Sequence, residues 1–273
     1  MHRWSSGDVQ ANGIRLHYHR TGGAKPPIVM AHGITDNGLC WTLLARALEN
    51  DYDLIMVDAR GHGQSDAPAA GYMNADHAAD YAGLIQESGL RRPALIGHSM
   101  GAATIAYLAS QHPDLVHCIL LEDPPWTARE KASSPQEQHA RAEAWRQDLI
   151  ARKQLARAEI LKQVRQQNPT WSEDELEPWL ESKLQVSPNV LDYVGAPSIH
   201  WTEYVPAIRC PVLLLTGDTE RGGIVSVEVA KEVVALSPNV QVAHIPGAGH
   251  SIRREQFQPY MAAVRRFLQE VYR

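Results

Sequence analysis

Residues 97–101, Gly97-His98-Ser99-Met100-Gly101, constrain this chain more than any other stretch, because a serine between two glycines at this spacing demands a sharp turn and both flanks are suited to make one. Residues 93–96 form a short apolar run that predicts a buried strand, and residues 102–110 are small, apolar and helix-prone. The resulting order is strand, tight turn, helix. The glycines remove Cβ atoms where strand and helix crowd together, so the turn presents Ser99 Oγ above the sheet edge. The same turn aims the Met100 N–H at the space where an oxyanion would form, near the positive end of the following helix. Ser99 is therefore a candidate nucleophile and Met100 a candidate oxyanion donor.

A serine hydroxyl needs a base, a second oxyanion donor and an acid to orient the base. Thirteen histidines compete for the first role, and His250 is preferred. It follows a strand-like run at 240–244, precedes a helix expected from about 255 to 271, and sits in a loop freed by Gly247 and Gly249. His98 reads as a packing or hydrogen-bonding neighbour. His17 and His19 alternate on one strand face with no third ligand near them in sequence, so they read as surface residues and no metal site is expected. For the second donor, residues 27–31 form a strand that runs into His32-Gly33, and the turn there leaves the Ile34 N–H as the candidate.

The segments His32-Gly33, Asp58-Ala59-Arg60-Gly61-His62-Gly63-Gln64-Ser65, Gly97 to Gly101 and Gly249-His250 occur in an order and at spacings that resemble the α/β-hydrolase fold family over nearly the whole chain. The resemblance implies a mostly parallel, doubly wound α/β sheet with helices on both faces and a site at the carboxyl ends of the strands. It also sets Gly61-His62-Gly63 apart from a dinucleotide fingerprint, whose third glycine is missing. Within the family the acid usually follows the strand after the cap, which selects Glu220 in Gly217-Asp218-Thr219-Glu220. Here the distance from Glu220 to Ile224-Val225 is longer than usual, with Gly222-Gly223 between. Some family members carry the acid at an earlier strand end, which selects Asp123, 24 residues after the serine. Asp123 is the first choice, with Glu220 and then Asp218 as alternatives.

The pattern along the chain points to the same architecture independently. Asn12-Gly13 between two alternating runs is a strong hairpin signal, and apolar strand-like runs then alternate with helical patterns up to residue 121 and again from 211. Residues 124–205 lack strong strand runs and are rich in Ala, Arg, Glu and Gln, so they are expected to form a helical cap inserted into a core of residues 1–123 and 206–273. Five of the seven tryptophans fall in this insertion: Trp126, Trp145, Trp171, Trp179 and Trp201. As a set they are candidates for lining a substrate pocket between cap and sheet, although each alone could simply be core of the insertion.

A net charge of −5 gives no electrostatic basis for binding nucleic acid or an anionic membrane. No apolar segment approaches the ~20 residues of a membrane span, and the first residues lack a signal-peptide core. Cys40, Cys118 and Cys210 have no metal-like spacing and read as reduced thiols, so a cytoplasmic enzyme without a cofactor is expected. The resulting expectation is a serine hydrolase that cleaves a hydrophobic small-molecule ester or lactone through an acyl-enzyme. Two alternatives stand beside it: a C–C bond (diketone) hydrolase using the same triad, and a ligand receptor with little turnover. Haloalkane and epoxide opening are disfavoured, since the family performs those reactions with Asp at the elbow.

Overall fold

The structure is a computed structural model that describes residues 4–129, 134–195 and 199–273. Its strands are β1 (Ser5–Ala11), β2 (Ile14–Arg20), β3 (Pro27–Ala31), β4 (Asp53–Val57), β5 (Ala94–His98), β6 (Ile119–Glu122), β7 (Val212–Thr216) and β8 (Val240–His244). The helices are α1 (Thr42–Leu48), α2 (Asn74–Glu87), α3 (Met100–Gln111), α4 (Pro135–Arg152), α5 (Arg157–Gln167), α6 (Glu173–Gln185), α7 (Asp192–Gly195), α8 (Val227–Leu236), α9 (Ile252–Glu255) and α10 (Phe257–Val271). The strands form one sheet in the order β1-β2-β4-β3-β5-β6-β7-β8. The pairs β1–β2 and β2–β4 are antiparallel and the remainder are parallel.

The opening hairpin turns at Asn12 and Gly13, with φ of 50° and 78°, the left-handed pair that a two-residue hairpin loop requires. Every residue of β4, β5 and β7 is buried, as a parallel sheet covered on both faces demands. Side chains alternate between two cores. Val29, Ile55, Leu95 and Leu121 pack with residues of α2, α3 and α8, whereas Ile28, Leu54, Ile96 and Leu120 pack with residues of α1 and α10. In α10 the buried residues Tyr260, Met261, Val264, Phe267 and Leu268 recur at the helical period and form its core-facing stripe. Helix α10 starts at Phe257, two residues later than expected, because α9 makes a separate turn first.

Between β6 and β7 the chain contains α4 to α7. The polar stretch of 136–167 divides into α4 and α5. Ser134 starts α4 with a reciprocal cap, its Oγ accepting from Glu137 N at 3.3 Å while its own N–H donates to Glu137 Oε2 at 2.7 Å. Helix α6 begins after Ser172 and turns Leu176, Leu180 and Lys183 inward along one stripe. Among the described residues no helix is long and apolar enough to cross a membrane.

The parallel order gathers the carboxyl ends of neighbouring strands. Ala31 lies opposite Gly97, and His98 opposite Glu122, so the residues that follow β3, β5 and β6 emerge side by side.

Candidate active site

Ser99 occupies the turn between β5 and α3 with φ 51° and ψ −117°, a region that non-glycine residues seldom adopt. Its neighbours make this conformation possible. A Cβ on Gly97 would lie 2.6 Å from the Ala102 N atom, and one on Gly101 would lie 2.1 Å from the Ala31 carbonyl oxygen, so both positions exclude side chains. The Ser99 N–H donates to the Glu122 carbonyl at 2.9 Å, and the Ser99 carbonyl accepts from Ala103 N at 3.1 Å, fixing the turn at both ends. Met100 is the first residue of α3, where N–H groups have no partner within the helix.

Asp123 follows β6 directly, with φ 42°, and is fully buried. Its Oδ2 accepts a hydrogen bond from His250 Nδ1 at 2.6 Å. The same carboxylate accepts the Ile224 N–H at 2.9 and 3.1 Å and the Val225 N–H at 3.0 Å, which offsets the cost of burying a charge. An ionised carboxylate can only accept, so His250 carries its proton on Nδ1 and keeps the Nε2 lone pair free. Among the alternatives, Glu220 is exposed. Asp218 instead accepts from His244 Nε2 at 3.0 Å and from Gly247 N at 2.8 Å, which braces the loop ahead of His250. The lengthened loop noted in the sequence thus contributes backbone donors to Asp123.

His98 donates from Nε2 to the His250 carbonyl at 3.0 Å. Burial, reinforced by the Arg253 guanidinium, holds its pKa well below that of ordinary histidine, so it is neutral. Beneath it lies a buried ionic cluster that the sequence analysis did not identify. Asp36 contacts Lys183 at 2.8 Å, Arg254 at 3.1 Å and Arg253 at 3.6 Å, while Glu122 pairs with Arg253 at 3.2 Å and Glu175 with Arg254 at 2.9 Å. Burial pushes the Asp36 carboxyl upward, but Arg254, Lys183 and Arg253 outweigh it and hold that pKa well below the usual range. Lys183 also donates to the Thr35 carbonyl at 2.7 Å, so α6 grips the loop that carries Ile34. The adjacent basic pair Arg253-Arg254, three residues past His250, was the available signal, because two charges there face the core and require buried partners.

A cavity of about 590 Å³ opens beside these groups, and Ser99, His250, Ile34 and Met100 all border it. Trp126, Trp145 and Trp201 line it too. Trp126 stacks on Trp201 at 5.7 Å and donates to the Tyr204 hydroxyl at 2.9 Å. Trp171 and Trp179 do not line this cavity. They meet each other edge to face at 6.3 Å, with Arg254 over Trp171 and Lys183 over Trp179, so they cover the ionic cluster instead. Arg141, missed in the sequence because its stretch is rich in arginine, borders the cavity and has no hydrogen-bond or ion-pair partner among the described residues.

The reading of His17 as a surface residue requires correction, whereas His19 is partly exposed. His17 is buried, and pairing of β2 with β4 brings Asp58, distant in sequence, beside both histidines. The three cysteines are free and buried.

Residues 26–253 match the sequence model of a family described as "alpha/beta hydrolase fold". N-formylmaleamate deformylase of Pseudomonas putida is 30% identical over 97% of this chain and 96% of that protein. The 2-(acetamidomethylene)succinate hydrolase of Mesorhizobium japonicum is 29% identical over 91% of this chain and 90% of that protein. A crystal structure of E-2-(acetamidomethylene)succinate hydrolase superposes with a TM-score of 0.82 at 25% identity, covering 98% of this chain and 100% of that one. The relatives are hydrolases, and the eight-stranded sheet flanked by helices agrees with them. The chain belongs to the alpha/beta hydrolase fold family.

Proposed function

We propose that the protein is a serine hydrolase that cleaves an acyl bond of a small carboxylate-bearing molecule, as an ester, lactone or N-acyl compound. The observation that carries this reading is the 2.6 Å contact of His250 Nδ1 with buried Asp123, on the same cavity as a serine held at φ 51°. In the reaction, His250 Nε2 takes the Ser99 proton as Oγ attacks the carbonyl carbon. The N–H groups of Ile34 and Met100 stabilise the oxyanion. Collapse breaks the acyl bond, and His250 returns the proton to the departing oxygen or nitrogen. Water, deprotonated by His250, then attacks the Ser99 ester, and the acid leaves as Ser99 recovers its proton.

Substrate class is supported by the cavity lining and by the relatives. Trp126, Trp145 and Trp201 offer an apolar wall, and Arg141 offers an unpaired guanidinium suited to a carboxylate. The names of the two relatives, a formylmaleamate and an acetamidomethylene succinate, each combine an N-acyl group with carboxylate. Three buried free thiols favour a reducing compartment such as the cytoplasm.

The test is kcat/KM for paired substrates that differ only in a carboxylate or its neutral methyl ester, in wild type and Arg141→Gln. A hydrogen bond to a charged group contributes about 1.5–3 kcal/mol, so Arg141→Gln should lower kcat/KM for the anionic member about 10- to 100-fold and leave the neutral one unchanged. Equal turnover of both members by wild type would remove the carboxylate from the reading.

A further inference from the structure

On the hairpin side of the sheet, His17, His19 and Asp58 each offer one donor atom, and the three donors lie within 4.8 Å of one another. His17 and His19 share a face of β2, with ring centroids 5.0 Å apart in an edge arrangement. Asp58 follows β4, and its N–H donates to the His17 carbonyl at 2.9 Å, so its position relative to the histidines is set by the sheet. Strand spacing places the two histidines three strands from the strand that carries the serine, about 14 Å across the sheet, and Asp58 two strands from it, about 10 Å. It plays no part in the acyl chemistry proposed above.

An independent observation points to a ligand here. His17 is only 7% exposed, and its Nε2 is buried with no hydrogen-bond partner. A buried imidazole nitrogen left unpaired is costly unless something occupies its lone pair or accepts its proton. Its other nitrogen, Nδ1, sits 2.8 Å from the Asp8 carboxylate. That contact places the proton on Nδ1 and leaves Nε2 as a bare lone pair, the carboxylate–histidine arrangement that orients metal-binding imidazoles. Asp58 retains capacity as well. Its Oδ1 accepts from Gly38 N at 2.7 Å and Oδ2 from Gln64 N at 2.8 Å, which uses two of about four lone-pair positions.

We propose that His17, His19 and Asp58 bind one divalent ion of the zinc class, with water completing the coordination, and that the ion fastens the β1–β2 hairpin to the loop after β4. Two imidazoles and one carboxylate suit a borderline-soft ion such as Zn2+ or Co2+ better than Mg2+, which prefers an all-oxygen shell. Tetrahedral coordination at about 2.0–2.2 Å brings donors to roughly 3.4 Å from one another, so the cluster contracts on binding. His19, the partly exposed member, supplies that movement by rotating its side chain. The loop it would secure is already tied to β2 by His17 N donating to Ser65 Oγ at 2.8 Å and Ser65 Oγ donating to the Asp58 carbonyl at 2.6 Å. The ion adds a second fastening at the same junction.

The test is titration of the full chain, freed of metal by a chelator, with Co2+ followed by visible absorption and with Zn2+ followed by thermal melting. The expected result is one Co2+ per chain with the absorption of nitrogen and oxygen ligands, and a Tm raised by about 5–10 °C at Zn2+ a hundredfold above its Kd. In His19→Gln, Co2+ affinity should fall about 100-fold while turnover stays at the wild-type level. His244→Gln should bind Co2+ like wild type. Absence of binding, an unchanged affinity in His19→Gln, or loss of binding in His244→Gln instead would overturn the assignment, the last by moving the ion to the His244–Asp218 pair.

Discussion

Replacing Asp123 by Asn tests the acid with almost no change of shape, and the hydrogen bonds around it determine what the amide must do. Oδ1 accepts the N–H groups of Ile224 and Val225, so the amide oxygen is required there and the NH2 group takes the place of Oδ2. That position faces His250 Nδ1 at 2.6 Å. An NH2 group can only donate, so Nδ1 must become the acceptor and the imidazole proton moves to Nε2. In this tautomer His250 has no lone pair for the Ser99 proton. The analogous change in a protease triad costs ~10⁴ in kcat, which corresponds to about 5.4 kcal/mol of transition-state stabilisation. Some stability is lost too, about 1–3 kcal/mol, because the new NH2 also meets the Ile224 N–H, which donates to Oδ2 at 2.9 Å in the wild type. Single-turnover and steady-state kinetics on the paired substrates described above, with thermal melts to establish folding, give the comparison. Glu220→Gln, on an exposed side chain, should stay within about twofold of wild type. A folded Asp123→Asn enzyme within about tenfold of wild-type kcat, or a larger loss in Glu220→Gln, would refute the reasoning.

Stability should fall on mild acidification. Burial lowers the pKa of His32, His62, His77 and His98, to about 3 for His77, whereas the unfolded chain takes up these protons below about pH 6.5, so each of them costs stability as pH drops below that value, and His77 removes about 1.4 kcal/mol per pH unit between pH 6.5 and its own folded pKa. His77 has both ring nitrogens unpartnered, so His77→Phe should flatten the dependence by one such slope in urea unfolding at pH 7, 6 and 5; an unchanged slope would contradict this. Trp145→Ala should change kcat/KM for substrates of increasing size with little loss of Tm, whereas Trp171→Ala should lower Tm and leave selectivity intact; the reverse pattern would exchange their roles. Lys183→Met leaves the Thr35 carbonyl and Asp36 short of a buried cation, so it should cost about 3–5 kcal/mol of stability and reduce kcat more than it raises KM. An unchanged kcat in the folded variant would separate α6 from the oxyanion loop.

The fold was legible because its signals are local and periodic. Asn12-Gly13 marks a hairpin by its backbone requirement, the apolar runs at 28–31, 54–57 and 94–96 mark strands buried on both faces, and Gly97 and Gly101 mark a turn that excludes side chains. What sequence could not show depends on pairing between distant segments. Asp58 stands 39 residues beyond His19, and only the antiparallel β2–β4 register brings them together. Likewise Lys183 meets Asp36 across 147 residues, which no spacing rule encodes. Tryptophans share a chemistry but not a location. Trp126, Trp145 and Trp201 face the cavity and Trp171 and Trp179 cover buried charges, a division set by helix packing and not by residue type. Arg141 was hidden by its own surroundings, one of three arginines in a helix where Arg146 pairs with Glu143 and Asp192 along the surface and Arg152 lies over Trp179.

Whether Ser99 forms a covalent intermediate is the claim on which the proposed chemistry rests. The most direct measurement is mass spectrometry of the intact protein and its peptides after exposure to a fluorophosphonate, in wild type, Ser99→Ala and His250→Gln. One adduct per chain is expected, on the peptide containing Ser99, absent from Ser99→Ala and formed far more slowly in His250→Gln. A wild-type protein that remains unlabelled while folded, or an adduct that persists in Ser99→Ala, would contradict it.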